Sequence, residues 1–419
     1  MRFDTVIIGG GLAGLMCGIS LSKQGARCAI ISLGHSALHF SSGSLELLGT
    51  LPDGRAVASP ADALEALRQI APEHPYSRFS RERFLSLAAE GAMLMREAGV
   101  DLYGTAEQNH YRLTPVGAMK PAWLTFEGYV HSPSEDALPW KSVALFNAEG
   151  FLDFYTQFLK DEMQRMGTKC ATHTFNFAEL EQIRENPTEM RSANIARIFD
   201  TREALDKLAS IIVEKIGDAE AVLLPAVLGV DCKDGVEYLK RKLNREVAVV
   251  ATLPPSVPGL QVQTLLRRYF QELGGVYMLG DTAVGYKAEG GRITAIYTRN
   301  HGDIPFLASN YVLTSGSFFS GGLEASNERI SEPLFGVDVE YALDRGEWYD
   351  RDLFKRQAYE SFGVKTDDTW HAVRQGRVVE NLYVAGATLS GFNAVKEGCG
   401  AGVSILTALD VATQIISKQ

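Results

Sequence analysis

Several things are scarce in this chain of 419 residues, and each absence removes a class of protein. Basic residues are outnumbered: 41 Lys and Arg stand against 51 Asp and Glu, a formal net charge of −10. General nucleic-acid binders carry a basic face, so that class is excluded, although a local cluster of arginines around a small anion is not. The cysteines Cys17, Cys28, Cys170, Cys232 and Cys399 are scattered, and no two form CxxC. Zinc or iron–sulfur ligation at the usual spacings is thereby excluded, and the thiols read as reduced cytosolic residues that mostly pack. Long apolar runs are also few. Thr5–Ser22 comes nearest, but Gly9-Gly10-Gly11 breaks it, Asp4 precedes it and no small-residue cleavage pattern follows, which argues against a membrane span or signal peptide. No other long apolar run, no fixed-period repeat and no low-complexity tract is read. The last absence is local: between Asp4 and Glu46 there is no carboxylate.

What is present is an ordinary globular composition, 46% hydrophobic and 22% charged, long enough for two domains. Val6-Ile7-Ile8 reads as a buried strand, Leu12–Gln24 as a helix ending near Gly25, and Cys28–Ile31 as a second strand. A strand–helix–strand unit implies a parallel sheet. Further on, helices are expected over Arg81–Gly99, Glu203–Ile216 and Leu260–Leu273, and buried strands over Ala221–Gly229 and Glu246–Thr252. Gly274–Met278 reads as a strand, and a hairpin is expected from Ala283–Ala288, the turn Glu289-Gly290-Gly291 and Arg292–Arg299. Tyr311–Gly316 and Leu382–Gly386 read as late strands that end in glycine, and Cys399–Ser417 as a terminal helix. The expected class is α/β: a Rossmann-like three-layer fold with a mostly parallel sheet and an inserted α+β cap. The nucleotide-binding domain is expected to be discontinuous, residues 1–50, 253–323 and 376–419, with the cap at 51–252 and 324–375.

The chemistry starts at Gly9-Gly10-Gly11-Leu12-Ala13-Gly14, a GxGxxG between a buried strand and a helix. Gly9 permits the tight turn, Gly11 lets the backbone approach a phosphate, and Gly14 lets the helix pack on the sheet. Open amides and the positive helix end supply the anion site. The acid that usually binds the adenosine ribose, about 20 residues on, is replaced by Ser32. The ligand is then either FAD held in a less usual way or FMN, which lacks the AMP half. Ser41, Ser42, Gly43 and Ser44 form a small hydroxyl-rich loop suited to a flat ring and its phosphate arm, with His39 in it as a candidate for proton transfer or flavin attachment. Gly316, Gly386 and Gly400-Ala401-Gly402 supply further close backbone approaches, the last at a second helix start. Cys399 lacks a resolving partner and reads as packing. Arg299, His301 and Asp303 cluster after the hairpin, where a cationic pair suits an anion or a charged surface turn equally. Arg345, Trp348 and Tyr349 fit either a cap lining or a subunit interface. Arg191, Asn194 and Arg197 read as a solvated helix face.

The start Val6–Gly14, the strand ending Thr314-Ser315-Gly316 and the stretch Asn381–Gly402 resemble the FAD-binding fold of the glutathione reductase and succinate dehydrogenase type. Strings along most of the chain are more specific: Ser36–Leu48, Leu253–Gly259, Thr298–Pro305, Ser315–Leu323 and Arg345–Tyr349. Together they resemble the B-subunit family of bacterial anaerobic glycerol-3-phosphate dehydrogenases. That resemblance implies oxidation of sn-glycerol 3-phosphate to dihydroxyacetone phosphate with electrons passing to quinone. It implies FMN in this subunit, a sister subunit with FAD and the substrate site, and a third that carries iron–sulfur clusters at the cytoplasmic face of the inner membrane. It assigns no catalytic residue. Two other functions compete: a self-sufficient FAD-dependent dehydrogenase or oxidase of a small hydroxy or amino substrate, and a non-enzymatic scaffold that keeps only the fold. The intact glycine clusters disfavour the scaffold.

Overall fold

The computed structural model describes residues 1–232 and 234–418. The chain opens with β1, Thr5–Ile8, then α1, Leu12–Lys23, then β2, Cys28–Ser32. Both strands are buried throughout, as aliphatic runs covered on two faces must be. They pair in parallel with Ile7 opposite Ile30. In α1 every residue from Ala13 to Ser22 is buried, so this helix is a core element on all sides. Leu15, Met16, Ile19 and Leu21 are each fully covered, worth about 1.5–3 kcal/mol apiece.

α2, Arg81–Glu97, starts at Ser80, whose hydroxyl accepts the Arg83 amide, and turns Phe84, Leu87, Ala88 and Met95 inward. Next come β3, Ser142–Ala148, and β4, Lys169–Phe175, then β5, Ala221–Pro225, and β6, Glu246–Val250. These four form a parallel sheet of their own, ordered β4-β3-β5-β6, over a separate hydrophobic core. The insertion therefore contains a small doubly wound α/β unit beside the short antiparallel sheets near the site.

The chain re-enters the main body with α3, Val257–Glu272, capped by the Ser256 hydroxyl, and with β7, Val276–Leu279. β8, Asn310–Leu313, β9, His371–Arg374, and β10, Arg377–Val384, complete a six-stranded sheet ordered β7-β2-β1-β8-β10-β9. All neighbours are parallel except β9, which turns back antiparallel to β10. The expected hairpin is present as Ala283–Glu289 paired with Arg292–Thr298.

Last is α4, Gly400–Ser417, which by length and composition alone would cross a membrane. It is a second long apolar run, where the sequence led us to expect none. Its apolarity has another cause here: α4 packs on α1 and α2, and Val403, Leu406, Ala408, Leu409 and Val411 are fully covered. Gly91 of α2 makes that contact possible, since a Cβ there would overlap Ile405.

The cores also divide the chain differently from the expected boundaries. Leu51 to Phe126 and Ile330 to Ala372 contribute to the same core as the six-stranded sheet, and the second core runs from about Leu113 to Val257. The packing of α2 on α4 crosses position 51, with its partner some three hundred positions later, and amphipathicity does not name a partner.

Asn381 ties the hairpin to this sheet. Its amide accepts the Ile293 N–H at 2.8 Å and donates to the Ile293 and Ser309 carbonyls at 2.8 and 3.1 Å. Asn381→Ala leaves these buried groups unpaired and is expected to lower unfolding stability by about 2–4 kcal/mol. Chemical denaturation measures it, and an unchanged midpoint contradicts this role.

Candidate flavin-binding site

β1 delivers the glycine turn to the carboxyl edge of the sheet, where doubly wound folds bind ligands. The Gly9 amide donates to the Ile31 carbonyl at 2.9 Å, and the Thr314 hydroxyl donates to the Ile8 and Gly9 carbonyls at 3.0 Å each. Gly9 adopts φ +116°, which only glycine takes readily. A Cβ on Gly14 would overlap the Gly9 carbonyl oxygen, so Gly14 is fixed by helix–strand packing. Gly11 differs. A Cβ there would lie 3.6 Å from the nearest protein atom, so nothing in the chain demands glycine at this position. Gly11 is also the N-cap of α1 and offers no side-chain acceptor, which leaves the first-turn amides open.

The turn faces a cavity of about 1490 Å³. Gly9, Gly10, Gly11, Leu12, Ala13, Ser32, His39, Ser41, Ser42, Ser44, Gly316, Gly400 and Ala401 all line it. Other candidates lie behind the wall: Gly14 as above, Gly43 against the Tyr129 ring, Gly386 against Ala13 and Gly402 against the Tyr76 hydroxyl. α4 begins at this cavity, and its N-cap Cys399 provides no side-chain acceptor either. Two uncapped helix starts thus meet one space.

Of the three catalytic candidates, His39, Arg299 and His301, only His39 reaches the cavity. Burial, with His35 at 4.3 Å between ring centroids, lowers its pKa below the ordinary histidine value. Arg299 and His301 do not line it. The Arg299 amide donates to the Thr282 carbonyl, while His301 Nδ1 lies 2.8 Å from Asp281 Oδ2 and 2.9 Å from Thr298 Oγ1. Asp281 is the residue that faces the cavity, where the sequence pointed to its neighbours instead. Burial alone would raise the Asp281 carboxyl, but Thr298, the Asn300 amide and His301 hold it below the usual range. Arg345, Trp348 and Tyr349 are not cavity residues either. The Trp348 indole donates to the Ala342 carbonyl at 2.7 Å, and the Arg345 guanidinium sits 5.6 Å from its ring.

The structure adds residues that no spacing announced. Arg112, Thr114, Lys120, Thr282, Ser315, Glu332, Lys396 and Glu397 all line the cavity. Glu397 is 1% exposed and lies 3.3 Å from His74 Nε2, with Arg356 on its other oxygen. Burial would raise it, yet His74 and Arg356 keep it below the ordinary carboxylate value. His74 Nδ1 accepts the Tyr76 amide at 3.0 Å, so its proton sits on Nε2 and points at Glu397. The Glu332 carboxyl is raised by burial even though the Leu334, Phe335 and Gly336 amides donate to it. Hydroxyls of Thr114, Thr282 and Ser315, and Nε and Nη1 of Arg112, are buried without a partner. Unpaired buried polar groups are costly, and those here gather around one cavity, as a site shaped for a polar ligand requires. Its volume exceeds the roughly 300–1,000 Å³ usual for a drug-sized ligand.

A parallel sheet with a glycine turn, a second helix start and orphaned donors around one large cavity defines a flavin-dependent oxidoreductase, and the FAD binding domain family model matches residues 4–403. The B subunit of anaerobic glycerol-3-phosphate dehydrogenase from Yersinia enterocolitica serotype O:8 is 45% identical over 418 residues, covering 100% of this chain and 99% of that protein. The Pectobacterium atrosepticum protein of the same name is 42% identical over 418 residues with the same coverage. The chain belongs to this B-subunit family. Among solved structures, 3-ketosteroid delta1-dehydrogenase from Sterolibacterium denitrificans is similar over 100% of both chains, at 10% identity and a TM-score of 0.46.

Gly11→Val is expected to leave the unfolding midpoint nearly unchanged while cutting bound flavin at least roughly tenfold, because the side chain enters ligand space only. Flavin absorbance per chain measures this, and full flavin content in a folded Gly11→Val protein contradicts the phosphate role of the turn.

Proposed function

We propose that this chain is the flavin-bearing relay subunit of a quinone-linked dehydrogenase that oxidises sn-glycerol 3-phosphate to dihydroxyacetone phosphate. The observation that carries the reading is the single cavity onto which two uncapped helix starts open, in a chain that aligns end to end with named dehydrogenase subunits. Bound there, a flavin would take electrons from a reduced donor and pass them on. The chain's residues supply the rest. Gly10 to Ala13 hold the phosphate on open amides, and the start of α4 offers donors and a positive helix end. His39, kept neutral, presents a proton acceptor to the cavity.

FMN is the nucleotide we assign. Ser32 stands where a ribose-binding acid is expected, and its hydroxyl is turned to the Gly34 carbonyl at 3.2 Å. The nearby Asp281 carboxylate is taken up by His301 and the Thr282 and Asn300 amides. A relay also needs partners: an FAD-containing catalytic subunit, and an iron–sulfur subunit that carries electrons to quinone and holds the complex at the cytoplasmic face of the inner membrane. The scattered cysteines support this, since the usual cluster spacings are missing. So does the cavity rim, where Phe40 and Phe319 stack edge to face at 5.0 Å while both stay more than half exposed.

Acid release and chromatography of the bound cofactor are expected to give FMN; FAD would favour the self-sufficient enzyme, and no flavin would sink both readings. With an artificial dye as acceptor, the isolated chain is expected to oxidise glycerol 3-phosphate far more slowly than the assembled complex. Equal rates contradict the relay.

A further inference from the structure

We propose that the cap wall of the cavity, formed by Arg112, Thr114 and Lys120, binds the phosphoryl group of a small phosphomonoester, so that this chain holds a substrate-class ligand of its own. The inference rests on the flavin reading above, because it takes the glycine turn as occupied by the cofactor's phosphate. Arg112 and Lys120 come from one antiparallel ribbon, His110–Leu113 paired with Met119–Ala122, and Thr114 directly follows its first strand. Arg112 sits directly opposite Lys120 in its register, and directly opposed residues project from the same face. Thr114, two positions past Arg112 in the chain, follows the same alternation. All three line the cavity.

Their donors are free. Arg112 spends Nη2 on Glu46 at 2.9 Å, but its Nε and Nη1 are buried without a partner. Thr114 is 9% exposed and its hydroxyl is equally unpartnered. Lys120 makes no side-chain hydrogen bond or ion pair among the described residues.

The cavity's acids do not cancel this charge. Four carboxylates line it among the described residues. Glu46 is matched by Arg112, and Glu397 by Arg356 and His74. Glu332 is held by three backbone amides, and Asp281 by His301 with two amides. The Lys120 ammonium and the two open Arg112 donors are left for a ligand.

The place is distinct from the glycine turn. The Glu46 carbonyl accepts the Gly402 amide at 2.9 Å, which sets the Arg112–Glu46 pair beside the start of α4, at the other helix start of the cavity. A phosphomonoester fits better than a monocarboxylate. Its three terminal oxygens match a guanidinium, a hydroxyl and an ammonium, where a carboxylate has only two.

The test is calorimetric titration of the flavin-loaded chain with inorganic phosphate, sn-glycerol 3-phosphate and glycerol at constant ionic strength. Both phosphates are expected to bind saturably at one site, and glycerol not at all. Arg112→Gln is expected to weaken phosphate binding roughly ten- to a hundredfold, and Thr114→Val and Lys120→Gln by smaller factors, with flavin content and unfolding midpoint retained. Lys120→Gln guards against misfolding, since Lys120 is exposed and unpaired. Absence of saturable phosphate binding, or unchanged affinity in the Lys120 and Thr114 variants, overturns the proposal. So does loss of flavin in folded Arg112→Gln, which would give the guanidinium to the cofactor. A wild-type chain without flavin sinks the function proposed above, and on it the loss of phosphate affinity in the Lys120 and Thr114 variants still reports this site.

Discussion

Two helices that pack against each other, α1 and α4, both begin without a capping side chain, and both begin at one cavity. Each helix start leaves backbone N–H groups without intrahelical partners. In a closed core that arrangement would be a defect, because buried unpaired donors cost free energy that packing must offset. Facing a cavity, it becomes a binding field for negative charge. The rest of the architecture is subordinate to keeping those two ends open and close together. Gly14 seats α1 on the Gly9 carbonyl, Gly402 lets α4 approach Tyr76, and Gly91 lets α2 press α4 into place.

The electrostatics of the cavity follow the same logic. Every carboxylate on its wall is spent on a partner within the chain, whereas several hydroxyl and guanidinium groups are not. Glu397 illustrates the cost. It is almost completely buried, and only the His74 N–H and the Arg356 guanidinium together keep it charged. Removing one partner would leave a buried charge exposed to the full desolvation penalty. The result is a wall whose negative charge is quenched and whose donors remain available, suited to ligands that bring their own anionic groups.

The nucleotide half of this picture was legible in the sequence because it is local. β1, the glycine turn, α1 and β2 span fewer than thirty residues, so strand, glycines, helix and strand can be read as one contiguous pattern. The opposite wall was not legible. Arg112 and Thr114 lie on a short ribbon far from the glycine turn in sequence, and only the fold brings them to α4. Arg299 and His301 stand out in sequence as a charged turn, yet that turn delivers Asp281 to the cavity and keeps the histidine behind it. The parallel sheet of the insertion was half visible. Ala221–Pro225 and Glu246–Val250 read as buried strands, whereas Lys169–Phe175 is too polar to stand out as one, and the short apolar run Val143–Phe146 of Ser142–Ala148 went unread among prolines and aromatics.

Everything above depends on the glycine turn of this chain holding the phosphate of a flavin. Fluorescence quenching on titration of the flavin-free chain with FMN and, in parallel, with riboflavin tests this most directly, because the two ligands share the ring and differ only in the phosphate. Saturation by FMN at a one-to-one ratio and much weaker binding of riboflavin are expected. Equal affinity for both, or no quenching by either, would contradict a phosphate-holding turn.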